Sequence, residues 1–362
     1  MTQDEKYMAR CLELARHGRF GAAPNPMVGA VVVHDNRIVG EGYHIRCGGA
    51  HAEVNAIRAV RDPQLLPECT IYVSLEPCAH YGKTPPCADL IISKGLRRVV
   101  VGCVDPFAKV AGEGIRRIRE AGISVSVGVL EQECLALNQR FFAWCTLRRP
   151  FVTLKWAESA DGYVDARRPE VPDCAPTVFS TPYTRMLVHR QRTLHQAIMV
   201  GSGTALADNP RLDNRTWPGR TPLRVVLDRQ GSLPASLHIM ADGRPTRVYL
   251  HHQAPTPAYA SHTGVTCIRI DFDGNVPQQV LDDLYACGVQ SLLVEGGPRL
   301  HKLFLEQALW DEARIERSPQ LLGQGTAAAP MPAGVCRIQE CDGHQLLHIV
   351  RQDAASRMHH AL

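Results

Sequence analysis

The sequence predicts two consecutive α/β domains. Its 362 residues exceed the length at which a single hydrophobic core usually stops growing. In both halves, short apolar segments of strand length alternate with helical segments, a pattern typical of α/β sheets with crossover helices. The last helical segment of the first half runs towards Pro150, and a proline disfavours helix in the residue before it. We therefore expect one domain over residues 1–147 and a second over residues 148–362.

The first domain opens with an amphipathic helix from Asp4 to Arg16. Tyr7, Met8 and Cys11 recur there at helical spacing, and Gly18 follows where a helix C-cap is expected. The predicted strands are Val28 to Val33, Thr70 to Ser74, Arg98 to Val101 and Ile123 to Val127. The predicted helices after the first are Ala52 to Val60, Asp89 to Lys94, Gly114 to Ala121 and Leu130 to Cys145.

The second domain restarts the alternation without an obvious repeat of the first. Its predicted strands are Phe151 to Trp156, Gln196 to Val200, Leu223 to Leu227, Thr246 to Leu250, Val265 to Ile270 and Ser291 to Val294. Its predicted helices are Pro182 to Thr193, Pro277 to Ala286 and Pro298 to Gln307.

The composition excludes several classes of protein. The longest apolar runs have strand length, far short of the roughly 20 residues of a membrane helix, and the start lacks the features of a signal peptide. A formal net charge of +4, with no basic run interleaved with aromatic residues, predicts no nucleic-acid partner. The thirteen cysteines lack framework spacing and indicate thiols and metal ligands rather than disulfides. We expect a cytoplasmic enzyme with no membrane partner.

The most specific motif is His51-Ala52-Glu53, followed later by Cys78 and Cys87. One imidazole and two thiolates suit zinc, and three protein ligands leave the fourth tetrahedral position for water, as in catalytic sites. Zinc lowers the pKa of bound water to about 7, and a neighbouring carboxylate can pass the proton to a departing amine. The motif predicts His51, Cys78 and Cys87 as zinc ligands and Glu53 as the proton carrier, at the ends of strands.

Two other interpretations are open for these residues. His51 could be a capped surface histidine beside two core thiols. Alternatively, the three residues could hold a structural zinc in a module for protein contacts, with Cys47 or His80 as fourth ligand. A structural site normally has four protein ligands and needs no acid beside the histidine, so the motif in its strand and helix context favours catalysis.

The motif resembles the cytidine deaminase superfamily, in which the glutamate is a proton shuttle and not a ligand. The long interval from Cys78 to Cys87, and the segment Pro24-Asn25-Pro26-Met27-Val28-Gly29, are similar to the bifunctional deaminase/reductases of riboflavin biosynthesis. The two-residue cysteine spacing of cytidine and tRNA deaminases is absent. The resemblance covers nearly the whole chain and implies a cytidine-deaminase-like α/β/α domain followed by a dihydrofolate-reductase-like α/β domain.

The resemblance also implies ligands and partners. It implies Zn²⁺ and NADPH as cofactors, a small pyrimidine ribose phosphate as substrate, and homo-oligomers. The implied substrate contacts of the first domain are Asn25, His44, Lys83 and Asp105. The family usually continues its Asp-Pro pair as Asn-Pro, whereas Phe107-Ala108 stand here. By the residues alone, Asn25 and Asp105 would be ordinary turn residues.

Four segments of the second half are similar to the reductase domain of this family. They are Leu154 to Gly162, Val200 to Pro210, Leu212 to Arg215, and Val294 to Pro298 with the helix after it. The implied NADPH contacts are Ala157, Thr204, Asp208, Gly297, Pro298, Arg299, Leu300, His301, Lys302 and Leu303. Arg229 follows a predicted strand and could reach the extra phosphate of NADPH, although a solvated surface arginine is the more frequent case. The implied substrate contacts are Arg192, Leu212, Arg215 and Glu295, and a guanidinium fork pairs well with a phosphate.

The glycines do not form the usual dinucleotide fingerprint. Leu206 stands where a third glycine would follow Gly201 and Gly203. Gly296 and Gly297 fit a phosphate better, because they follow a strand, open a helix and let backbone N–H groups approach an anion. By itself, such a pair is more often a turn.

The reductase half departs from the family pattern at two positions. Pro176 and Val178 stand where the family commonly shows Ser and Trp, so ligand contacts there would be weakened or replaced. The alternative function is a zinc deaminase of a nucleoside or tRNA base with an unrelated second domain. That function would need a basic groove with aromatic residues, which the sequence does not show.

Overall fold

The protein folds into two compact units that divide between Leu147 and Arg148. The structure is a computed structural model that describes residues 1–81, 85–105, 112–166 and 176–352. None of the helices in these ranges has the length and apolar character that crossing a bilayer requires.

The first unit is a five-stranded sheet with helices on both faces. Its strands are β1 (Gly29–His34), β2 (Arg37–Tyr43), β3 (Thr70–Val73), β4 (Arg98–Val101) and β5 (Ser124–Val127). Its helices are α1 (Gln3–Arg16), α2 (Ala52–Arg58), α3 (Cys87–Ser93), α4 (Glu113–Glu120), α5 (Glu131–Leu137) and α6 (Gln139–Leu147). The strand order is β2-β1-β3-β4-β5; β1 pairs antiparallel with β2 and β3, and the other pairs are parallel.

Two apolar cores fill this unit, one on each face of the sheet. Helices α2, α3 and α4 pack on one face, with Ala56, Ile91 and Ile118 among the buried side chains. Helices α1, α5 and α6 pack on the other, with Met8 and Phe142 among theirs. This arrangement confirms the predicted α/β/α architecture.

The predicted helix from Leu130 to Cys145 is wrong as a single element. The chain forms α5 and α6 instead, with a break at Asn138. The buried Asn138 side chain bonds with both backbone groups of Met27: Oδ1 accepts from N–H at 2.8 Å, and Nδ2 donates to the carbonyl at 2.9 Å. This bonding fixes the turn that contains Asn25, a contact that helical periodicity could not reveal.

Strand β2 was not predicted, because two glycines interrupt its pattern. A Cβ on Gly40 would lie 2.3 Å from the carbonyl oxygen of Ala56, and one on Gly42 would lie 2.4 Å from its nitrogen. The glycines therefore let the backbone of helix α2 approach the strand closely.

The second unit is built on a nine-stranded mixed sheet. Its strands are β6 (Phe151–Glu158), β7 (Tyr163–Ala166), β8 (Ala197–Gly201), β9 (Leu223–Leu227), β10 (Thr246–His251), β11 (Val265–Ile270), β12 (Ser291–Val294), β13 (Glu312–Arg317), β14 (Gly325–Ala327), β15 (Val335–Cys341) and β16 (His344–Val350). Its helices are α7 (Pro182–Thr193), α8 (Ser202–Asp208), α9 (His238–Ala241), α10 (Val276–Ala286) and α11 (Pro298–Glu306).

The order of the large sheet is β11-β10-β9-β8-β12-β6-β13-β16-β15, and β14 pairs separately with β7. Neighbouring strands of the large sheet run parallel from β11 to β13, whereas β16 is antiparallel to β13 and to β15. The six predicted strands and three predicted helices of this half are all present, within one or two residues of their expected ends. The prediction of a second α/β domain is therefore confirmed.

Strands β13, β15 and β16 were not predicted, because charged and polar residues interrupt their apolar patterns. Glu312 and Glu316 are buried on β13, where His348 lies 2.7 Å from Glu312 and His344 lies 2.8 Å from Glu316. Buried carboxylates are tolerated only when they are paired, and the partners come from a strand more than 25 residues away.

Candidate active sites

Three metal-ligating side chains of the first unit come together where two helices begin. His51 is the N-cap of α2, Cys87 is the first residue of α3, and Cys78 lies in the loop after β3. The His51 Nδ1 atom is 3.5 Å from Cys78 Sγ and 3.3 Å from Cys87 Sγ. Zinc bonds to N and S at a tetrahedral angle would place these atoms about 3.5 Å apart. The donor set and its spacing therefore fit Zn²⁺.

Hydrogen bonds favour a thiolate in this cluster. The Cys87 side chain, and after it His51, lower the pKa of the Cys78 thiol well below its usual range. The backbone N–H of Cys87 also donates to Cys78 Sγ at 3.3 Å. A thiolate is the form of cysteine that binds a metal.

The structural-zinc interpretation lacks its fourth ligand. Among the described residues, the metal-ligating group contains His51, Cys78 and Cys87, and neither Cys47 nor His80 joins it. Cys47 is exposed. Three protein ligands are the pattern of a catalytic zinc site.

Glu53 lies in the first turn of α2, beside this cluster. The side chain is 2% exposed, and its Oε2 atom has no hydrogen-bond partner within the described ranges. Burial, followed by the charge of Cys78, raises the pKa of Glu53 to about 7. A buried carboxyl with a free oxygen and a pKa near neutrality suits proton transfer.

Two of the predicted substrate contacts form a pair beside the metal cluster. The Asn25 Nδ2 atom lies 3.1 Å from His44 Nε2, and the other ring nitrogen of His44 lies 3.1 Å from the Ala50 carbonyl oxygen. If the amide donates to Nε2, Nδ1 carries the proton and donates to Ala50. The His44 ring stands edge-on to His51, with 5.3 Å between ring centroids. Burial lowers the pKa of His44.

The loop that carries Asp105 is held by a carboxylate that sequence reasoning missed. The backbone N–H of Asp105 donates to Glu76 Oε2 at 3.2 Å. Glu76 is buried and stands two residues before the predicted ligand Cys78, so one side chain connects the two loops. An acid just before Pro77-Cys78 was the available signal. The predicted contact Lys83 lies outside the described residues, as do Phe107 and Ala108.

The second unit has a cleft of about 1190 Å³. This volume exceeds the roughly 300–1,000 Å³ of a site for one small molecule, and it suits a cofactor together with a substrate. Most of the predicted ligand contacts line it: Ala157, Arg192, Thr204, Asp208, Arg215, Arg229, Glu295, Gly297, Pro298, Arg299, Leu300, His301 and Leu303. Pro176 and Val178 line it as well.

Glycines give the cleft room for the backbone to meet a cofactor. Gly201 and Gly203 line the cleft, and a Cβ on either would have nothing within 4 Å. Gly297, the N-cap of α11, has a φ of +80°, which favours glycine. A Cβ on Gly296 would lie 2.8 Å from Thr204 Cγ2. These glycines, with the start of a nine-residue helix, fit the phosphates of NADPH.

The predicted substrate contacts in the cleft are already paired with acids. Arg192 donates to both Glu295 oxygens, at 2.9 and 2.7 Å, and to the Asp213 carbonyl oxygen at 2.8 Å. Arg215 lies 2.5 Å from an Asp213 carboxylate oxygen. Burial opposes ionisation of Glu295, but Arg192 outweighs it and lowers the pKa of that carboxyl. The predicted contacts are therefore oriented ion pairs rather than free arginines.

Two predicted contacts lie away from the cleft lining. Leu212 is 2% exposed and packs in an apolar core. Lys302 is exposed and pairs with Glu306 at 3.6 Å. His301 lines the cleft, but its Nε2 lies 3.0 Å from the Val294 carbonyl oxygen, and burial lowers its pKa to about 4. The ring is therefore a neutral packing group near neutral pH.

Three basic cleft residues were missed by sequence reasoning. They are Lys155, Arg185 and His189. Lys155 lies on β6, which the sheet order places between β12 and β13, and burial lowers the pKa of its amine. A lysine inside an apolar central strand could have indicated a functional residue. Arg185 and His189 gave no such indication, because basic residues are common on an amphipathic helix such as α7.

Two family models match the chain and cover both units. The cytidine and deoxycytidylate deaminase zinc-binding region matches residues 1–103. The RibD C-terminal domain matches residues 150–340, which rules out an unrelated second domain.

Curated relatives match almost from end to end. The riboflavin biosynthesis protein RibD of Aquifex aeolicus is 35% identical over 93% of this chain and 92% of its own length. That of Bacillus amyloliquefaciens is 38% identical over 91% of this chain and 88% of its own. The Escherichia coli protein is 37% identical over 89% of each.

Solved structures give the same result. The Thermotoga maritima diaminohydroxyphosphoribosylaminopyrimidine deaminase/5-amino-6-(5-phosphoribosylamino)uracil reductase is 35% identical, has a TM-score of 0.83 and aligns over 96% of this chain and 99% of its own. Acinetobacter baumannii RibD is 32% identical, with a TM-score of 0.81 over 96% and 98%. The predicted cytidine-deaminase-like and dihydrofolate-reductase-like folds are confirmed. The chain therefore belongs to the RibD family of bifunctional deaminase/reductases, which use zinc and NADPH in riboflavin biosynthesis.

Proposed function

We propose that His51, Cys78 and Cys87 hold the zinc ion of the deaminase reaction and that Glu53 moves its protons. The single observation that carries this proposal is the buried Glu53 Oε2, unpartnered in the described part of the chain, beside three ligand atoms at zinc-like spacing. Bound zinc supplies a water that is a nucleophile at neutral pH. Glu53 accepts a proton from the attacking water and donates it to the departing ammonia.

The first domain acts on a small pyrimidine, and we assign its contacts as follows. Asn25 holds the edge of the ring, with its amide oriented by His44. The Ala50 carbonyl in turn orients His44, so the pair offers the substrate a fixed set of donors and acceptors. Asp105 contacts the substrate from the loop that Glu76 holds, and Lys83 contacts it from the segment between the two cysteines.

In the second domain, a pyrimidine ribose phosphate lies between NADPH and the face of α7. NADPH supplies a hydride for the ribose carbon, which gives a ribityl chain. The glycines near Gly203 and Gly297 admit the cofactor backbone, and Ala157, Thr204 and Asp208 contact it. Arg299 and the other residues from Gly297 to Leu303 contact it too, although the Lys302 side chain pairs with Glu306 and does not line the cleft.

The phosphate and the ribose lie near the paired arginines. Arg192 and Arg215 meet the phosphate through the N–H groups that their acids leave free, and Glu295 fixes the Arg192 fork. Leu212 acts through its backbone, since its side chain is in the core. Arg229 pairs with the exposed Asp273 at 2.8 Å and stays our candidate for the extra phosphate of NADPH.

The test is Glu53→Gln in the full chain, loaded with zinc. Zinc content should stay at the wild-type level, because glutamate is not a ligand. Ammonia release should fall about 100- to 10,000-fold, the usual contribution of general acid–base catalysis, while reduction of the deaminated substrate continues. The matched control is Glu120→Gln, which changes the same charge at an exposed site of the same unit. Loss of zinc, or loss of both activities, would contradict the assignment.

Mass spectrometry of the products tests both halves together. Amine should exchange for carbonyl with and without NADPH, and two hydrogens should be added only with NADPH. Deamination without reduction would mean that Pro176 and Val178 have impaired the reductase. Homo-oligomers, the absence of a nucleic-acid partner and the expected cellular location stay predictions.

A further inference from the structure

One face of helix α7 carries more donors than the predicted contacts include. Arg185, His189 and Arg192 follow one another at intervals of four and three residues, so they share a face of the helix. All three line the reductase cleft, as does Val188 between them. Sequence reasoning selected only Arg192 from this row.

The charge of Arg185 is not neutralised by an acid. Its Nη2 donates to the Ser180 carbonyl oxygen at 3.4 Å, and none of its interactions in the described ranges is an ion pair. By contrast, Arg192 pairs with Glu295, and Arg215 pairs with Asp213, whose carboxylate also lies 3.7 Å from Arg244. A phosphate monoester carries up to two negative charges, so an arginine without an acid partner is a favourable further ligand for it.

His189 offers a neutral donor on the same face. The residue is 2% exposed, and its Nδ1 accepts from the Thr216 backbone N–H at 3.1 Å and lies 2.5 Å from Thr216 Oγ1. An accepting Nδ1 requires the proton of a neutral ring to be on Nε2. Burial, then Arg192 and Arg215, lower the pKa of this histidine, in agreement with the neutral form.

We propose that Arg185 and His189 are two further ligands of the substrate's phosphate in the reductase cleft. The proposal rests on the proposed function, in which a pyrimidine ribose phosphate occupies that cleft. Arg185 supplies the unbalanced positive charge, and His189 donates through Nε2–H. Together with Arg192 they make the cleft-facing row of α7 a recognition surface for a phosphate monoester.

The charge test compares Arg185→Gln with Arg190→Gln. Arg190 is on the same helix but does not line the cleft, and its guanidinium lies 5.8 Å from the Trp217 ring. With saturating NADPH, Arg185→Gln should raise the KM for the deaminated substrate at least about tenfold and change kcat less than about threefold. Arg190→Gln should stay within about twofold of wild type. A KM that rises for NADPH and not for the substrate would assign Arg185 to the cofactor and overturn the proposal.

The donor test uses two replacements of His189. Glutamine can place an N–H near the position of Nε2, whereas asparagine can replace Nδ1 only. The KM for the substrate should stay within about threefold of wild type in His189→Gln and rise at least about fivefold in His189→Asn. Equal losses in both variants would mean that His189 only supports the fold through Thr216, and would overturn its role as a ligand.

Inorganic phosphate separates this proposal from the proposed function. Inorganic phosphate should compete with the substrate but not with NADPH. Arg185→Gln should weaken the inhibition by phosphate by about the factor by which it raises the KM for the substrate. If the wild-type protein fails to reduce the substrate, the proposed function is wrong. In that case, binding of inorganic phosphate followed by ³¹P NMR still tests the proposed phosphate ligands on α7. Weaker phosphate binding in Arg185→Gln than in Arg190→Gln would support the proposal, and equal binding would overturn it.

Discussion

Replacing Glu76 by glutamine should loosen the loop that carries Asp105 and the start of helix α4. The Glu76 carboxylate is 4% exposed and accepts four backbone hydrogen bonds. Its Oε1 accepts from Gly114 at 2.9 Å and Ile115 at 3.2 Å. Its Oε2 accepts from Gly112 at 2.9 Å and Asp105 at 3.2 Å.

The size of the effect follows from this count. Glutamine keeps one acceptor oxygen, so two of the four N–H groups would face an NH₂ group instead of an acceptor. A hydrogen bond to a charged group contributes about 1.5–3 kcal/mol, which gives a loss of about 3–6 kcal/mol for two of them. Glu120→Gln is the control, since that carboxylate is 59% exposed and pairs with Arg116 at the surface, where solvent screens the contact.

Hydrogen exchange measured by mass spectrometry reads this loss directly. Amides 112–115 of the Glu76→Gln variant should exchange at least roughly 100-fold faster, because about 3 kcal/mol of opening free energy is lost. The KM of the deaminase should rise as well, since Asp105 is on the same loop. If amide exchange accelerates less than about tenfold, or accelerates equally in Glu120→Gln, Glu76 does not hold this loop in the way described.

Three further substitutions test the packing, pairing and acid stability of the fold. Gly42→Ala should cost about 1–3 kcal/mol in thermal denaturation, because the new Cβ would lie 2.4 Å from a backbone nitrogen of α2; an unchanged midpoint would contradict the close approach. Asp311→Ala should cost about 3–5 kcal/mol in urea, because it leaves the buried Arg149 without the carboxylate 2.6 Å away; a loss below about 1 kcal/mol would contradict this. Arg98 lowers the pKa of Asp4, so the stability that this acid contributes is present above its unfolded pKa of about 3.9 and is lost as pH falls through the lower folded value. Acid titrations of Asp4→Asn should lack this part of the loss, and an identical titration would argue against the pair.

The local chemistry of the deaminase half could be predicted from the sequence. His51, Cys78 and Cys87 are recognisable because zinc selects the donor atom, and the donor atom is a property of each residue type. The placement of His51 and Cys87 at the starts of α2 and α3, and of Cys78 in the loop after β3, followed from the order of strands and helices along the chain. Glu53 was predictable from its spacing, since it follows His51 by two residues in the first turn of α2.

The charged strands could not be predicted in this way. The carboxylates of β13 are stabilised by histidines of β16, so the pattern that predicts apolar strands fails where long-range pairs replace apolar contacts. The break at Asn138 has a similar cause, because its hydrogen bonds are made with Met27, which is 111 residues away in the sequence.

The sequence by itself determined the two α/β halves, the positions of most strands and helices, and the zinc-binding residue types. Each of these depends on the spacing of residues that are close along the chain. Only the tertiary structure decided that Arg192 is held by Glu295, that Leu212 lies in the core, and that Arg185 and His189 share the cleft. The physical reason is that charge pairing and burial depend on which distant segments of the chain come into contact, and the order of strands in the sheet determines those contacts.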